Sequence, residues 1–250
     1  MVVAAKTFLL IPPSEAKAPG GSKTVRNGTF DHDLSGQRRE IVGALSSLLS
    51  PWSSQQVEKV LRVRGPLLER AVEATRSLVE GRPALLPAWR RYSGVVWSSL
   101  GPATLTTPQR RRLLIPSGLY GVNSGTDLVA DYRLKMDSSL DPMGSLSQFW
   151  RPHVTSTLSE LTRRCVVVDL LPKEHAAAID WTALESVCRV VRVSFTASSG
   201  QGAAGHAAKS VKGAIARHLL DNGLSDLEKF RFEGWRVTRD GDRFVVVAPR

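Results

Sequence analysis

Apolar residues in this chain come in strand-length runs that alternate with stretches of helical period from one end to the other. Runs such as residues 166–168 and 244–248 fall far short of the ~20 residues that a membrane-spanning helix needs. Residues 8–11, 166–170 and 190–195 read as buried strands, and 95–97 as a further one. Residues 34–49, 55–61, 66–79, 146–161, 181–188 and 206–220 have helical spacing, and 108–114 is a basic helix candidate. Residues 122–137 read as loop with a possible strand. The segments 235–237 and 244–247 read as a hairpin around Asp240-Gly241. The 42% hydrophobic content suffices for a real core. The expected fold is mixed α/β (α+β): a single domain over residues 1–250, with a central mixed sheet and surrounding helices.

Segments outside the core narrow the setting. Residues 8–11 are apolar but run straight into Pro12-Pro13, so no signal peptide is read there. Cys165 and Cys188 form no C-x-x-C and no disulfide framework. Two thiols in a reducing cytoplasm, and no membrane partner, are the expectation.

Charge is the unusual quantity. The chain has 34 Lys and Arg against 23 Asp and Glu, a formal +11. Residues 51–112 hold eleven Lys and Arg against four Glu, which places +7 of that excess in about a quarter of the chain. Clustered charge of one sign makes a directed field and favours an anionic partner, double-stranded DNA or a nucleotide.

Within that segment, residues 51–80 have the pattern of a helix-hairpin-helix. Two short helices meet at Gly65, with apolar residues on either side. In such a hairpin the backbone N–H groups that open the second helix meet a phosphate, and the helix dipole favours the negative charge. Arg62, Arg64, Gly65 and Arg70 are the candidate DNA contacts. The usual second glycine is absent and Pro66 stands near its place. An ordinary helical hairpin with a solvated basic face fits the same residues.

Gly200, Gly202 and Gly205 form a literal G-x-G-x-x-G between a strand and a helix. It lies too near the C-terminus for a doubly wound fold, and the acidic residue expected ~20 positions on is not convincing. No cofactor is expected from it. The loop can still hold a phosphate through backbone N–H groups, with Lys209 or Lys212 nearby.

Further motifs follow in order: Ser117-Gly118-Leu119-Tyr120-Gly121, then Asp127, Asp131-Tyr132-Arg133-Leu134-Lys135-Met136, Gln148-Phe149-Trp150 and Val166-Val167-Val168-Asp169-Leu170. With the Pro/Ser/Lys loop at 11–17, Tyr92 to Trp97 and the Lys-rich helix at 209–217, the chain resembles the peroxide stress protein YaaA family over nearly its whole length. Its N-terminal P-P-S-E-x-K-x-P-G-G is similar to the actinobacterial-type branch. The chain departs from the family pattern at Asp131, Asp169, Leu171 to His175 and Lys209 to Gly213. The resemblance implies a compact mixed α/β domain bearing a DNA-binding helix-hairpin-helix. It also implies a role in oxidative stress through lowered free iron. The five His (His32, His153, His175, His206, His218) are scattered without the spacing of a metal-ligand set.

Two functional readings stand side by side. One is a non-sequence-specific DNA-binding stress protein. The other is an enzyme acting on a nucleoside, nucleotide or nucleobase by glycosylase- or lyase-type C–N cleavage. Its catalytic candidates are Lys17, Tyr120, Asp127, Asp169, Lys209 and Lys212, and its phosphate contacts Ser14, Ser117, Gly200 and Gly202. A lysine beside a carboxylate can attack a sugar carbon while the carboxylate stabilises an oxocarbenium-like state. That reading expects one pocket to gather Lys17, Tyr120, Asp169 and Lys209.

Overall fold

A computed structural model describes residues 5–22, 27–49, 54–196, 205–241 and 243–249. The elements run β1 (Thr7–Leu10), α1 (Asp31–Leu48), α2 (Ser54–Leu61), α3 (Pro66–Val79), β2 (Leu85–Pro87), α4 (Ala88–Arg91), α5 (Val95–Leu100) and α6 (Thr107–Arg111). Then come β3 (Leu113–Ser117), β4 (Gly121–Ser124), β5 (Leu128–Ala130), β6 (Ser139–Leu140), β7 (Gly144–Ser145), α7 (Leu146–Leu161) and β8 (Val166–Asp169). The chain ends with α8 (Lys173–Ala176), α9 (Trp181–Glu185), β9 (Arg189–Thr196), α10 (His206–Asn222), β10 (Arg231–Phe232), β11 (Trp235–Asp240) and β12 (Arg243–Val247).

An eight-stranded sheet in the order β10-β11-β12-β9-β8-β1-β3-β4 organises the molecule. Its five inner strands, β12, β9, β8, β1 and β3, are parallel. β4 and β11 are antiparallel to their neighbours. The central strands are apolar on both faces because helices cover both, so they read as continuous runs rather than alternations. The mixed α/β class expected from the sequence is the one observed, and the buried hydrophobic side chains form one cluster from Phe8 to Val246.

The helices bury single stripes. In α7 the buried residues Leu146, Trp150, Val154 and Leu158 recur every fourth position. In α10 Val211, Ile215 and Leu219 do the same. Asp180 caps α9, accepting from Ala183 N at 3.1 Å.

Two readings are corrected. Residues 95–97 are helical, not a strand: Val96, Trp97 and Leu100 form one buried face of α5 pressed against α10. Packing overrides the β-branched composition there. A Cβ on Gly213 of α10 would lie 2.1 Å from the Val96 carbonyl oxygen, so only glycine permits this approach. The basic helix expected over 108–114 stops at Arg111, because Leu113 and Leu114 pair with Leu9 and Leu10 at the centre of the sheet.

Candidate functional site

Parallel strands that end together leave a crevice at their carboxyl edge, the usual ligand position in open α/β sheets. Here the segments leaving β1 and β8 meet that edge, beside the end of β9 at Phe195. Two cavities adjoin there, of 500 and 510 Å³, on either side of the loop after β1. Both are lined by Pro13 to Ala16, Glu174 and His175. The first adds Lys17, Arg70 of α3 and the 132–135 segment. The second adds Gly94, Trp97 of α5, and Lys209 and Lys212 of α10. A larger space of 720 Å³ opens at the opposite, amino edge between Lys6, Arg112 and Arg239. None of the candidate residues lies there.

Lys17 is the most constrained group of the cleft. Its backbone runs antiparallel to Tyr92, through Ala18 N to Arg91 O at 2.8 Å and Ser93 N to Ala16 O at 3.2 Å. The side chain is 7% exposed. Its Nζ donates to the Ser14 carbonyl at 2.7 Å and lies 4.1 Å from the Tyr132 ring centroid and 5.6 Å from that of Tyr92. Among the described residues no carboxylate comes within 4.0 Å of it. Burial, with Arg133 nearby, brings its pKa down from 10.5 to about 7, against the pull of Asp131 and Glu15.

The two tyrosines beside Lys17 are fully packed. Their hydroxyls lie 3.0 Å apart, with Ser117 acting to lower the pKa of both against burial. Burial pushes Tyr132 up to about 12 and Tyr92 well above 10, so both stay protonated. Both stand in motifs noted in the sequence, at 92–97 and 131–136, but the sequence marks neither as a candidate site residue, and only the fold brings both to Lys17. Gly94 was missed too. A Cβ there would lie 2.2 Å from Ser14 Oγ, so the glycine lets α5 close on the loop.

Several candidates converge on the cleft: Ser14, Lys17, Arg70, Lys209 and Lys212 all line it. Lys212 is drawn down to about 8 by burial and sits 5.2 Å from the Phe195 ring.

Others stand behind it. Tyr120 packs edge-on against Tyr132 at 5.7 Å, and its hydroxyl accepts from Ala130 N at 2.9 Å. Asp169 ends β8 with Oδ1 accepting from Leu171 N at 2.9 Å, and burial raises its pKa. Ser117 is wholly buried, accepting from Tyr120 N at 3.1 Å. Asp127 ties loops together: Oδ1 accepts from Thr29 N and Oγ1, and Oδ2 from Ser124 N. One pocket therefore does not gather Lys17, Tyr120, Asp169 and Lys209; Lys17 and Lys209 line adjoining cavities while the other two serve the packing beneath. Gly200 and Gly202 lie outside the described residues.

The helical hairpin is present as α2 and α3, with Gly65 at φ 58° before Pro66. Two of its arginines are already paired with carboxylates, Arg62 at the surface and Arg70 partly buried. Arg62 donates to Asp137 Oδ2 at 2.6 Å. Arg70 donates to Asp131 Oδ2 at 2.6 and 2.8 Å and to the Lys17 carbonyl at 2.8 Å. They pin the hairpin over the cleft, and Arg64 is left exposed at the turn. His175 is neutral, its pKa lowered by burial to about 4, and its Nδ1 is buried without a hydrogen bond. Among the described residues no group of three or more His, Cys, Asp and Glu is placed to hold a metal ion. No helix there is long and apolar enough to cross a membrane.

A mixed α/β protein with a basic cleft at the carboxyl edge of parallel strands, roofed by a helical hairpin, is the class these features define. The model of the family described as peroxide stress protein YaaA matches residues 8–240, and the chain belongs to that family. A UPF0246 protein of Streptomyces coelicolor is 30% identical over 87% of this chain and 84% of its own length. A UPF0246 protein of a Ruegeria species is 28% identical over 76% of the chain and 80% of its own length. One from Phocaeicola vulgatus is 26% identical, covering 75% and 78%.

Proposed function

We propose that the chain is a DNA-binding protein of the peroxide-stress response, gripping the phosphate backbone without reading sequence. One observation carries this reading. The α2–α3 turn, with exposed Arg64 and a helix start that no side chain caps, stands beside a cleft lined by lysines. An uncapped helix start leaves donors and dipole available to a phosphate. Pro66 has no N–H, so the grip relies on fewer backbone donors and more on side-chain charge. The test is duplex binding by fluorescence anisotropy across salt. A fall in Kobs of several hundredfold or more between about 50 and about 200 mM salt is expected. No binding at low salt would end the reading. A second reading, an enzyme acting on a nucleotide-derived substrate, loses the four-residue pocket expected of it, since Tyr120 and Asp169 lie behind the cleft, and rests on the environment of Lys17 alone.

A further inference from the structure

We infer that Lys17 is an imine-forming nucleophile for the aldehyde of a phosphorylated sugar, an inference that rests on the second, enzymatic reading. Imine formation needs an amine held still, open to a cavity and free of a neutralising carboxylate. Lys17 meets each requirement. Among the described residues its Nζ has one hydrogen-bond acceptor, the Ser14 carbonyl at 2.7 Å, and Lys17 lies on the wall of a 500 Å³ cavity. The faces of Tyr132 and Tyr92 flank it, and their hydroxyls bond to each other rather than to the amine. With a pKa near 7, about half of the amine is unprotonated at neutral pH, where an ordinary lysine is almost wholly charged.

The phosphate follows from the adjoining cavity. Lys209 and Lys212 line it, and among the described residues neither has a carboxylate within 4.0 Å. The other cations of the cleft are matched: Lys135 by Glu15, and Arg70 and Arg133 by Asp131. Asp169 and Glu174 act on Lys212, and Glu15 on Lys209, only from beyond ion-pair distance. Two lysines outside any close ion pair suit a phosphate, and an amine next door suits its carbonyl end.

The step balances without an oxidant or reductant. The nitrogen lone pair forms a C–N bond to the carbonyl carbon, and the oxygen takes a proton from nitrogen. The C–O bond then breaks, the oxygen leaves as water with the second nitrogen proton, and C=N remains. An aldehyde of this kind has two sources, the opened sugar of an abasic DNA strand and a free sugar phosphate.

The experiment incubates the full chain with sodium cyanoborohydride and either an abasic duplex or deoxyribose 5-phosphate, then maps the reduced adduct by peptide mass. An adduct on Lys17 with either probe is the expected result, and the probe that works identifies the source. Lys17→Arg, confirmed folded by its melting curve, should lose at least about tenfold of the trapped product, because a guanidinium is not a nucleophile at this pH. Mapping on the unaltered chain keeps the test valid should the variant not fold. No adduct, an adduct on Lys209, Lys212 or the N-terminal amine instead, or full trapping by Lys17→Arg would overturn the inference. Anisotropy on an intact duplex judges DNA binding separately, so the two can fail independently.

Discussion

Lys17 Nζ sits 4.1 Å from the centre of the Tyr132 ring, with the Tyr92 ring 5.6 Å away on the same amine. A ring face attracts a cation but cannot neutralise it. Burial therefore sets the charge state of this lysine, and both stability and reactivity should follow it.

The linkage has a definite sign. Unfolded, Lys17 titrates near 10.5; folded, it titrates at about 7. Between these values the unfolded chain binds more protons, so stability rises with pH across that window. Below about 7 the amine is charged in both states and the cost of burying that charge is fully present. The neighbours that also act on it are Arg133 and Arg91, which lower its pKa, and Asp131 and Glu15, which raise it. Lys17→Met removes the titration, so the stability of the unaltered chain relative to this variant should rise from pH 7 to pH 10. Urea melts of both proteins at each pH check it. A constant difference would refute the assignment.

Tyr92 and Tyr132 share a hydroxyl contact of 3.0 Å with Ser117 beside it. Tyr132→Phe should cost about 1 kcal/mol, because it leaves buried partners unsatisfied. The double change to Phe should cost less than the sum of the two single changes, since the second removes a group already stripped of its partner. A double-mutant cycle by urea denaturation measures the coupling.

Arg91 is fully buried and holds four carbonyls: Val129 at 3.1 Å, Gly20 at 2.9 Å, Ala84 at 2.7 Å, and Ala18. It thereby joins the loop after Lys17 to β2 and β5. An ammonium has three donors and no planar fork. Arg91→Lys should therefore destabilise by about 2–4 kcal/mol, the cost of buried acceptors left without donors. The same melts report it, and the 18–20 loop should gain amide exchange first.

How much of this was legible in the sequence depends on the range of the contact. β1 and β8 announce themselves because apolar residues buried on both faces form unbroken runs. α3 and α7 do so by their spacing. α5 does not: Val95-Val96-Trp97 has strand composition, and its helical state depends on Gly213, which lies far along the chain. The cleft was half visible. Ser14, Lys17, Lys209 and Lys212 stand out as polar residues at element ends. The tyrosines that define the setting of Lys17 lie in motifs at 92–97 and 131–136, but nothing local shows that they meet at this amine. Arg62 and Arg70 look like unpaired phosphate ligands until their acids appear 75 and 61 residues away.

The arginines of the hairpin differ in what holds them: Arg62 and Arg70 are paired with Asp137 and Asp131, and Arg64 is exposed at the turn. Arg64 is exposed, so Arg64→Ala should reduce the salt slope of duplex binding by about one unit and weaken all sequences alike. Arg62 lies 2.6 Å from Asp137, so Arg62→Ala exposes a carboxylate beside the same turn. That variant should lose affinity through repulsion as well as through the lost cation. Adding Asp137→Asn should recover part of the loss by removing the repelling carboxylate, and in Arg64→Ala it should raise affinity by freeing Arg62. Anisotropy titrations of the unaltered chain and the four variants across salt decide the matter. Identical slopes in all of them would place DNA contact away from the α2–α3 turn.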